Sequence, residues 1–267
     1  MTRDLTVRIN VVRKTEWGGS KELDLAMPFE AFTDRASGVD PGRDNVVGTA
    51  DDGIVEVWSV PRTYPTFGLV QRLTVNTADG EGNDKFWAFE ATSSKRYSSG
   101  WSLLASYSID RRDERNNIPI NPNQARYNFE LPQTHQGIRL SGTYDLPWHM
   151  LFSSTFTGQS GEYFNRVVQV RNALGTNVNV TVEGQAGRYN WVKLMDLRFA
   201  KTVRIGKHSL EGMFDLFNAT NTSVILRHVT TNGTDYRKPL ATGGIDAASA
   251  NPIPAPRIFR LSARWKF

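Results

Sequence analysis

The stretch FRLSARWKF, residues 259–267, decides the fold because apolar and polar side chains alternate along it. Apolar side chains occupy the odd positions and polar or charged ones the even positions: Phe259, Leu261, Ala263, Trp265 and Phe267 against Arg260, Ser262, Arg264 and Lys266. Successive residues of a β-strand point to opposite faces of its sheet. The alternation therefore predicts a strand with one apolar and one charged face.

The same alternation recurs along the chain in segments of about ten residues, the length that a membrane-spanning strand needs. Helical periodicity is hard to find. We predict an all-β fold, a transmembrane antiparallel β-barrel segment of about eight spanning strands. The earlier strands lie within residues 5–11, 85–95, 101–110, 138–145, 152–157, 195–199 and 210–216.

The connections between these predicted strands alternate in length. Short turns are predicted at residues 96–100, 145–149 and 202–207, and long polar segments at about 14–83, 111–135, 158–190 and 219–255. Short turns at one end and long extracellular loops at the other are typical of outer-membrane barrels. A soluble sandwich more often has turns at regular spacing. Inside the first long segment, residues 54–59 and 72–76 also look extended, and we predict that they form a hairpin.

Composition excludes several other classes of protein. Hydrophobic residues make up 39% of the chain, and no run approaches the ~20 apolar residues of a spanning helix. Cysteine is absent, which excludes disulfides, thiolate metal sites and a cysteine nucleophile. The net charge is +5, but the basic residues are scattered, so no nucleic-acid partner is expected. The first ten residues, MTRDLTVRIN, lack the apolar core of a signal peptide, and we expect that Met1 is not the true start.

No catalytic constellation is visible in the sequence. The four histidines lie far apart, without metal-ligand spacing: His135, His149, His208 and His228. No nucleophile stands out beside a base, so we predict that the protein is not an enzyme and has no catalytic or cofactor-binding residues.

One acidic segment suits a metal ion. DPGRDNVVGTADDG, residues 40–53, contains the carboxylates Asp40, Asp44, Asp51 and Asp52, and its glycines allow tight turns. Calcium takes six to eight oxygen ligands in flexible geometry, so these four residues form a candidate calcium site in an extracellular loop. The alternative is an ordinary solvated turn, which uses the same residue types.

Four stretches resemble one family. They are KFWAFEATSSKRYSSGWSLLASYSIDRR (85–112), WVKLMDLRFAKTVRIGKHSLEGMFDLFNATN (191–221), PRIFRLSARWKF (256–267) and the acidic segment at 40–53. Together they resemble the C-terminal third of TonB-dependent transporters, especially the Oar-like branch with a carboxypeptidase-regulatory-like domain. Such proteins close a barrel of about 22 strands around a plug. The resemblance implies that residues 1–267 are the C-terminal part of an outer-membrane barrel, without the plug and the N-terminal strands.

The chain end resembles the C-terminal sorting signal of bacterial outer-membrane barrels, which the barrel-assembly machinery reads. Its residues here are Phe259, Leu261, Ala263, Trp265 and Phe267. The resemblance further implies location in the bacterial outer membrane, contact with its lipid, and coupling to TonB through the missing plug. The strands should not close into a barrel on their own, because they belong to a wider one.

Charged side chains on the polar faces should point into the barrel lumen. They are Arg8, Glu90, Asp110, Arg139, Asp145, Asp196, Arg198, Glu211, Asp215, Arg260, Arg264 and Lys266. Under a functional interpretation they contact the plug or a passing solute. Under a structural one they form cross-strand pairs, such as Asp196 and Arg198 with Glu211 and Asp215.

The expected function is TonB-energised uptake of a bulky solute, such as an iron chelate, an oligosaccharide or a peptide, with the long loops facing the ligand. Two alternatives stay open at this stage. One is a complete small outer-membrane barrel serving as a porin or adhesin, and the other is a secreted soluble β-sandwich that binds carbohydrate.

Overall fold

The computed structural model describes residues 4–77, 84–113, 119–127, 131–240 and 253–267. Within them strand is the dominant element, and the helical structure is limited to a 3₁₀ turn at Phe29–Ala31 and one short helix at Pro122–Tyr127. The strands are β1 (Leu5–Glu16), β2 (Ser20–Asp24), β3 (Asp34–Asp40), β4 (Gly53–Ser59), β5 (Arg72–Asn76), β6 (Asp84–Ser98), β7 (Trp101–Asp113), β8 (Gln133–Leu146), β9 (Met150–Gln159), β10 (Tyr163–Arg171), β11 (Asn177–Arg188), β12 (Val192–Ile205), β13 (His208–Phe217) and β14 (Ile258–Lys266). The all-β prediction is confirmed.

Eight of these strands form one antiparallel sheet in the order β1-β6-β7-β8-β9-β12-β13-β14. Each contains one of the segments in which the sequence alternates. The sheet is open, because β1 pairs only with β6 and β14 pairs only with β13 among the described residues. The prediction that the chain does not close into a barrel by itself is confirmed.

The connections divide by length between the two ends of the sheet. Tight turns join β6 to β7, β8 to β9 and β12 to β13 at one end, which we call the turn end. Ser99 and Gly100 have φ of 53° and 82°, the left-handed conformation that fits a two-residue hairpin to the twist of its strands. All the long connections leave from the opposite end, which we call the loop end.

The long connections carry the remaining six strands, which pair as β2–β5, β3–β4 and β10–β11. The predicted hairpin of residues 54–59 with 72–76 is therefore wrong. Those segments are β4 and β5, and each pairs with an earlier strand: Trp58 faces Arg35, and Leu73 faces Leu23. The β3–β4 hairpin lies between β2 and β5 in the sequence. Pairing β4 with β5, the next extended segment along the chain, therefore gave the wrong partner for both strands.

A small core holds two of these hairpins together. The side chains of Val55 and Val57 on β4 pack against Val168 and Val170 on β10 and Val180 on β11, and all five are buried. Gly38 on β3 allows the close approach, because a Cβ there would lie 2.9 Å from Cγ1 of Val170. We call this folded assembly of loops the cap. No helix in the described ranges is both long and apolar enough to cross a membrane.

Candidate functional site

The strand register sorts the eight-stranded sheet into two unlike faces. Phe152, Phe199, Phe214 and Leu261 lie side by side across β9, β12, β13 and β14. Ring contacts reinforce this side, with centroids 5.0 Å apart for Phe152 and Phe199. We call it the apolar face, and it includes Ile9, Phe89, Ile109, Leu140 and the residues named above.

The apolar face is not covered by other described parts of the chain. Ile9 is 63% exposed, Val11 73% and Leu261 81%. Burying such a side chain stabilises a protein in water by about 1.5–3 kcal/mol, so a face this large is unfavourable in contact with water. A monomeric soluble protein rarely exposes a contiguous apolar surface of this kind.

On two strands a pair of lysines brackets the central part of the apolar face. On β6, Lys85 near the loop end and Lys95 near the turn end enclose only Trp87, Phe89, Ala91 and Ser93 on that face. On β12, Lys193 and Lys201 enclose Met195, Leu197 and Phe199. At about 3.3 Å per residue these intervals measure about 26–33 Å along the strand, or about 20–25 Å in height for a strand tilted by about 40°. That height matches the apolar band of outer-membrane barrels, about 25 Å.

Aromatic side chains lie close to these limits. Trp101 and Tyr144 face each other across β7 and β8 at the turn end, and Trp265 lies near the end of β14. The ammonium group of Lys95 lies 4.0 Å from the ring centre of Trp101. Exposed Trp148 is in the β8–β9 turn. Such amphipathic rings favour the boundary between apolar and aqueous surroundings.

The opposite side of the sheet is the charged face. On it, one carboxylate forms ion pairs with two arginines. Asp215 on β13 is 2% exposed and accepts hydrogen bonds from Arg198 on β12 and Arg260 on β14. Nε of Arg198 lies 2.5 Å from Oδ1 of Asp215, and Nε of Arg260 lies 2.9 Å from Oδ2. Arg264 lies 3.4 Å from Glu211. These pairs join three neighbouring strands.

The other predicted charges are also on the charged face but have different surroundings. Of the predicted cross-strand group, Arg198 pairs with Asp215. Oδ1 of Asp196 instead accepts a hydrogen bond from the backbone N–H of Asn218 at 2.9 Å. Asp145 accepts a hydrogen bond from the hydroxyl of Tyr97. Lys266 lies opposite Ser209.

A polar concavity of about 210 Å³ opens on the charged face towards the loop end. Glu90, Asp110, His135 and Arg139 contribute its charged and titratable side chains. Nδ1 of His135 lies 3.4 Å from Oδ1 of Asp110, and Glu90 accepts a hydrogen bond of 3.4 Å from Asn10. These groups offer hydrogen bonds to a polar solute.

In the cap, Arg166 is the centre of a buried ion-pair cluster. Its guanidinium donates to both carboxylate oxygens of Asp40, to the carbonyl oxygen of Gly42 at 3.2 Å and to Glu183 at 3.3 Å. A hydrogen bond from Arg43 is the main reason that the pKa of Glu183 lies below its ordinary value. Burial opposes this effect, and a hydrogen bond from Arg166 adds to the lowering. Strands β3, β10 and β11 are thereby connected.

The rest of the acidic loop is held by its own backbone and by another loop. Asp51 accepts the N–H of Arg43 at 2.8 Å and the hydroxyl of Thr49 at 2.7 Å, and the Thr49 hydroxyl is the main reason that the pKa of Asp51 is lowered. Asn45 exchanges two hydrogen bonds of 2.9 Å with the backbone of Gly233. The loop therefore links the first long connection to the last.

The carboxylates proposed for calcium do not converge on one point. Asp40 is paired with Arg166, Oδ1 of Asp44 accepts the N–H of Val46 at 2.8 Å, and Oδ2 of Asp52 accepts the N–H of Gly48 at 2.6 Å. Throughout the part of the chain that the structure describes, no three acidic or histidine side chains are placed to hold a metal ion. The calcium site stays a prediction, for which these side chains would have to rearrange.

The role of Arg166 was missed at the sequence level, although a signal was present. Residues 166–170, RVVQV, alternate with Arg166, Val168 and Val170 on one face, and residues 178–182, VNVTV, do the same. This alternation predicts a second strand pair within the long segment at 158–190. Which carboxylate Arg166 would meet could not be inferred from the spacing.

Comparisons with protein-family models, with curated proteins and with solved structures found no match for this chain. Three geometric features of the described chain point to its function: an uncovered apolar face whose central part lies between lysines, a charged face with partly paired groups, and a packed cap at one end.

Proposed function

We propose that this chain is a wall segment of a bacterial outer-membrane β-barrel, and that the complete barrel is a TonB-dependent transporter that takes up a bulky solute. The observation that carries the proposal is the pairing register of the eight strands. It collects their apolar side chains on one uncovered face, while every long connection leaves from the same end. A bilayer supplies the apolar surroundings that such a face needs.

The alternative of a soluble sandwich fits this arrangement less well. In a sandwich a second sheet covers the apolar face at about 10 Å. Here the six remaining strands pair among themselves in the cap, with their own valine core, and they do not cover the large sheet. The charges of the other face also fit a wet lumen.

A complete eight-stranded barrel also fits less well, because β1 and β14 remain edges. Each edge strand would expose a row of backbone donors and acceptors, which is a liability in water and prohibitive in lipid. In the proposed barrel, further strands pair with both edges and widen the lumen. A wide lumen leaves room for a plug and a bulky solute.

The cap is the proposed ligand-facing surface. Its valine core and the Arg166 cluster order the loops without a ligand, so binding needs little further ordering of the chain. Iron chelates, oligosaccharides and peptides are all candidate solutes. Energised uptake is tested by measuring accumulation of each class in cells that carry or lack TonB.

The membrane assignment is tested by cysteine labelling of the full-length receptor in lipid vesicles. The described chain contains no cysteine, so each introduced thiol is a unique probe in this segment. We expect a water-soluble maleimide to label Asn10→Cys and Ser262→Cys on the charged face after the lumen is made accessible. A nitroxide label at Ile9→Cys or Leu261→Cys should instead be relaxed by oxygen dissolved in the lipid.

Adjacent positions provide the control. A cysteine at position 9 and one at position 10 lie at the same height on β1 and differ in the face to which they point. Labelling of both members of each pair by the aqueous reagent would reject the bilayer assignment. If the charged-face members were accessible from the lipid, the charged face and not the apolar face would contact the bilayer.

A further inference from the structure

A groove interrupts the apolar face between β12, β13 and β14, with a volume of about 550 Å³. The small residues Gly212 and Ala263 and the larger apolar residues Phe199, Phe214 and Leu261 are among those that line it. A Cβ on Gly212 would meet nothing within 4 Å, so the space over this residue is open. The groove therefore offers an open, mostly apolar surface.

One cationic side chain, that of Lys201, lines this groove. Lys201 lies beside Gly212 and Met150 in the register. Within the described chain Lys201 has no ion pair or hydrogen bond through its ammonium group. Lys95, at the same end of the apolar face, is different, because its Nζ donates to the carbonyl oxygens of Ser98 at 2.9 Å and Trp101 at 3.1 Å.

We propose that the groove binds one phospholipid with an anionic headgroup. An acyl chain lies along Gly212 and Ala263 between the surrounding apolar side chains, and the phosphodiester pairs with Lys201. This inference rests on the proposed function, because it requires the apolar face to contact a bilayer. The binding is non-covalent and adds a lipid of defined charge to the wall of the barrel.

The position of Lys201 supports a lipid as the occupant. It lies where the uncharged band ends towards the turn end, which is the height at which headgroups meet water. No acidic side chain lies on the apolar face between the lysine limits of the described strands, so nothing there repels a phosphate. A lysine near a membrane surface favours anionic over zwitterionic lipid by about fivefold in affinity.

Native mass spectrometry of the full-length receptor tests the proposal, after extraction from bilayers that contain equal amounts of phosphatidylglycerol and phosphatidylcholine. We expect the wild type to retain phosphatidylglycerol preferentially. Lys201→Ala should lower that preference about fivefold, and Lys201→Arg should keep it. Lys95→Gln is the matched control and should behave as the wild type, since the ammonium group of Lys95 already donates hydrogen bonds to carbonyl oxygens of the protein.

The apolar part is tested by Gly212→Leu, which fills the open space over Gly212. We expect it to reduce retention of both lipids, with Gly212→Ala intermediate. Equal retention of both lipids by the wild type, or an unchanged preference in Lys201→Ala, would overturn the lipid site. Because the cysteine-labelling experiment reports bilayer contact independently, failure of the lipid site is distinguishable from failure of the membrane assignment.

Discussion

Arg166 and Asp40 form a two-point ion pair although 126 residues separate them in the sequence. Nη2 of Arg166 lies 2.8 Å from Oδ2 of Asp40, and Nη1 donates to Oδ1. Both residues are 9% exposed. The pair fixes the end of β3 against β10, so two long connections that leave different strands of the large sheet form one cap.

Replacing Arg166 should open the cap without disturbing the large sheet. Arg166→Met leaves Asp40 buried without its partner, which costs about 3–5 kcal/mol in the free energy of local unfolding. Hydrogen exchange in the full-length protein should show faster exchange in β3 and β10 and unchanged exchange in β7. Arg43→Met is the control: Arg43 is exposed, so its loss should destabilise the cap much less than the loss of Arg166.

A methyl group at position 38 should separate the two hairpins of the cap. Gly38→Ala places its Cβ 2.9 Å from Val170, which must shift, and we expect a loss of about 1–3 kcal/mol in cap stability. Limited proteolysis of the loops measures the change. Gly53→Ala on β4 is matched to it, because a Cβ there would meet Asp40 at an ordinary 3.6 Å. Equal sensitivity of the two variants would contradict the proposed packing.

Acid should loosen the cap through Glu183. Its pKa is lower in the folded protein than the ordinary 4.5, because Arg43 and Arg166 stabilise the carboxylate. The stabilisation is therefore fully present above pH 4.5 and is lost as the pH falls through the lower, folded-state pKa. Exchange in β11, corrected for intrinsic rates, should be constant from pH 7 to pH 5 and rise below. Glu183→Gln should remove much of this rise, and a rise that begins near pH 6 would implicate another group.

Calorimetric titration of the protein with Ca²⁺ tests the predicted calcium site in the acidic loop. Binding requires Asp44, Asp51 and Asp52 to exchange their present hydrogen bonds for the ion, so it should order the loop further. The prediction expects calorimetric heat from the wild type and less from Asp44→Ala and Asp51→Ala. Absence of heat from the wild type, or equal heat from all three proteins, rejects the site.

In the proposed outer-membrane barrel, changing Phe267 should reduce membrane assembly more than it changes ligand affinity. Phe267 is 95% exposed and follows β14, and its ring makes an edge contact with His208. Phe267→Asp places a charge beside the apolar face at the closing strand, so we expect less protein in the outer membrane. Quantification in membrane fractions measures this, and Lys266→Asp on the charged face is the control. A wild-type level of Phe267→Asp would reject the sorting-signal prediction.

The eight long strands were predictable because alternation is a local property of the chain. A strand needs only its own residues to present Phe259 and Leu261 to one side and Arg260 to the other. The division between tight turns and long connections was also readable, since it depends on the spacing of those strands. The sequence by itself therefore determined the all-β class and the two faces.

Pairing within the cap was decided only by the tertiary structure. The alternation of residues 54–59 shows a strand but does not show whether β3 or β5 is its partner, because it specifies only which side chains share a face. The same holds for Arg166, whose charge demands a carboxylate without specifying Asp40. Long-range partners depend on loop closure and packing between segments far apart in the chain, and no local pattern encodes them.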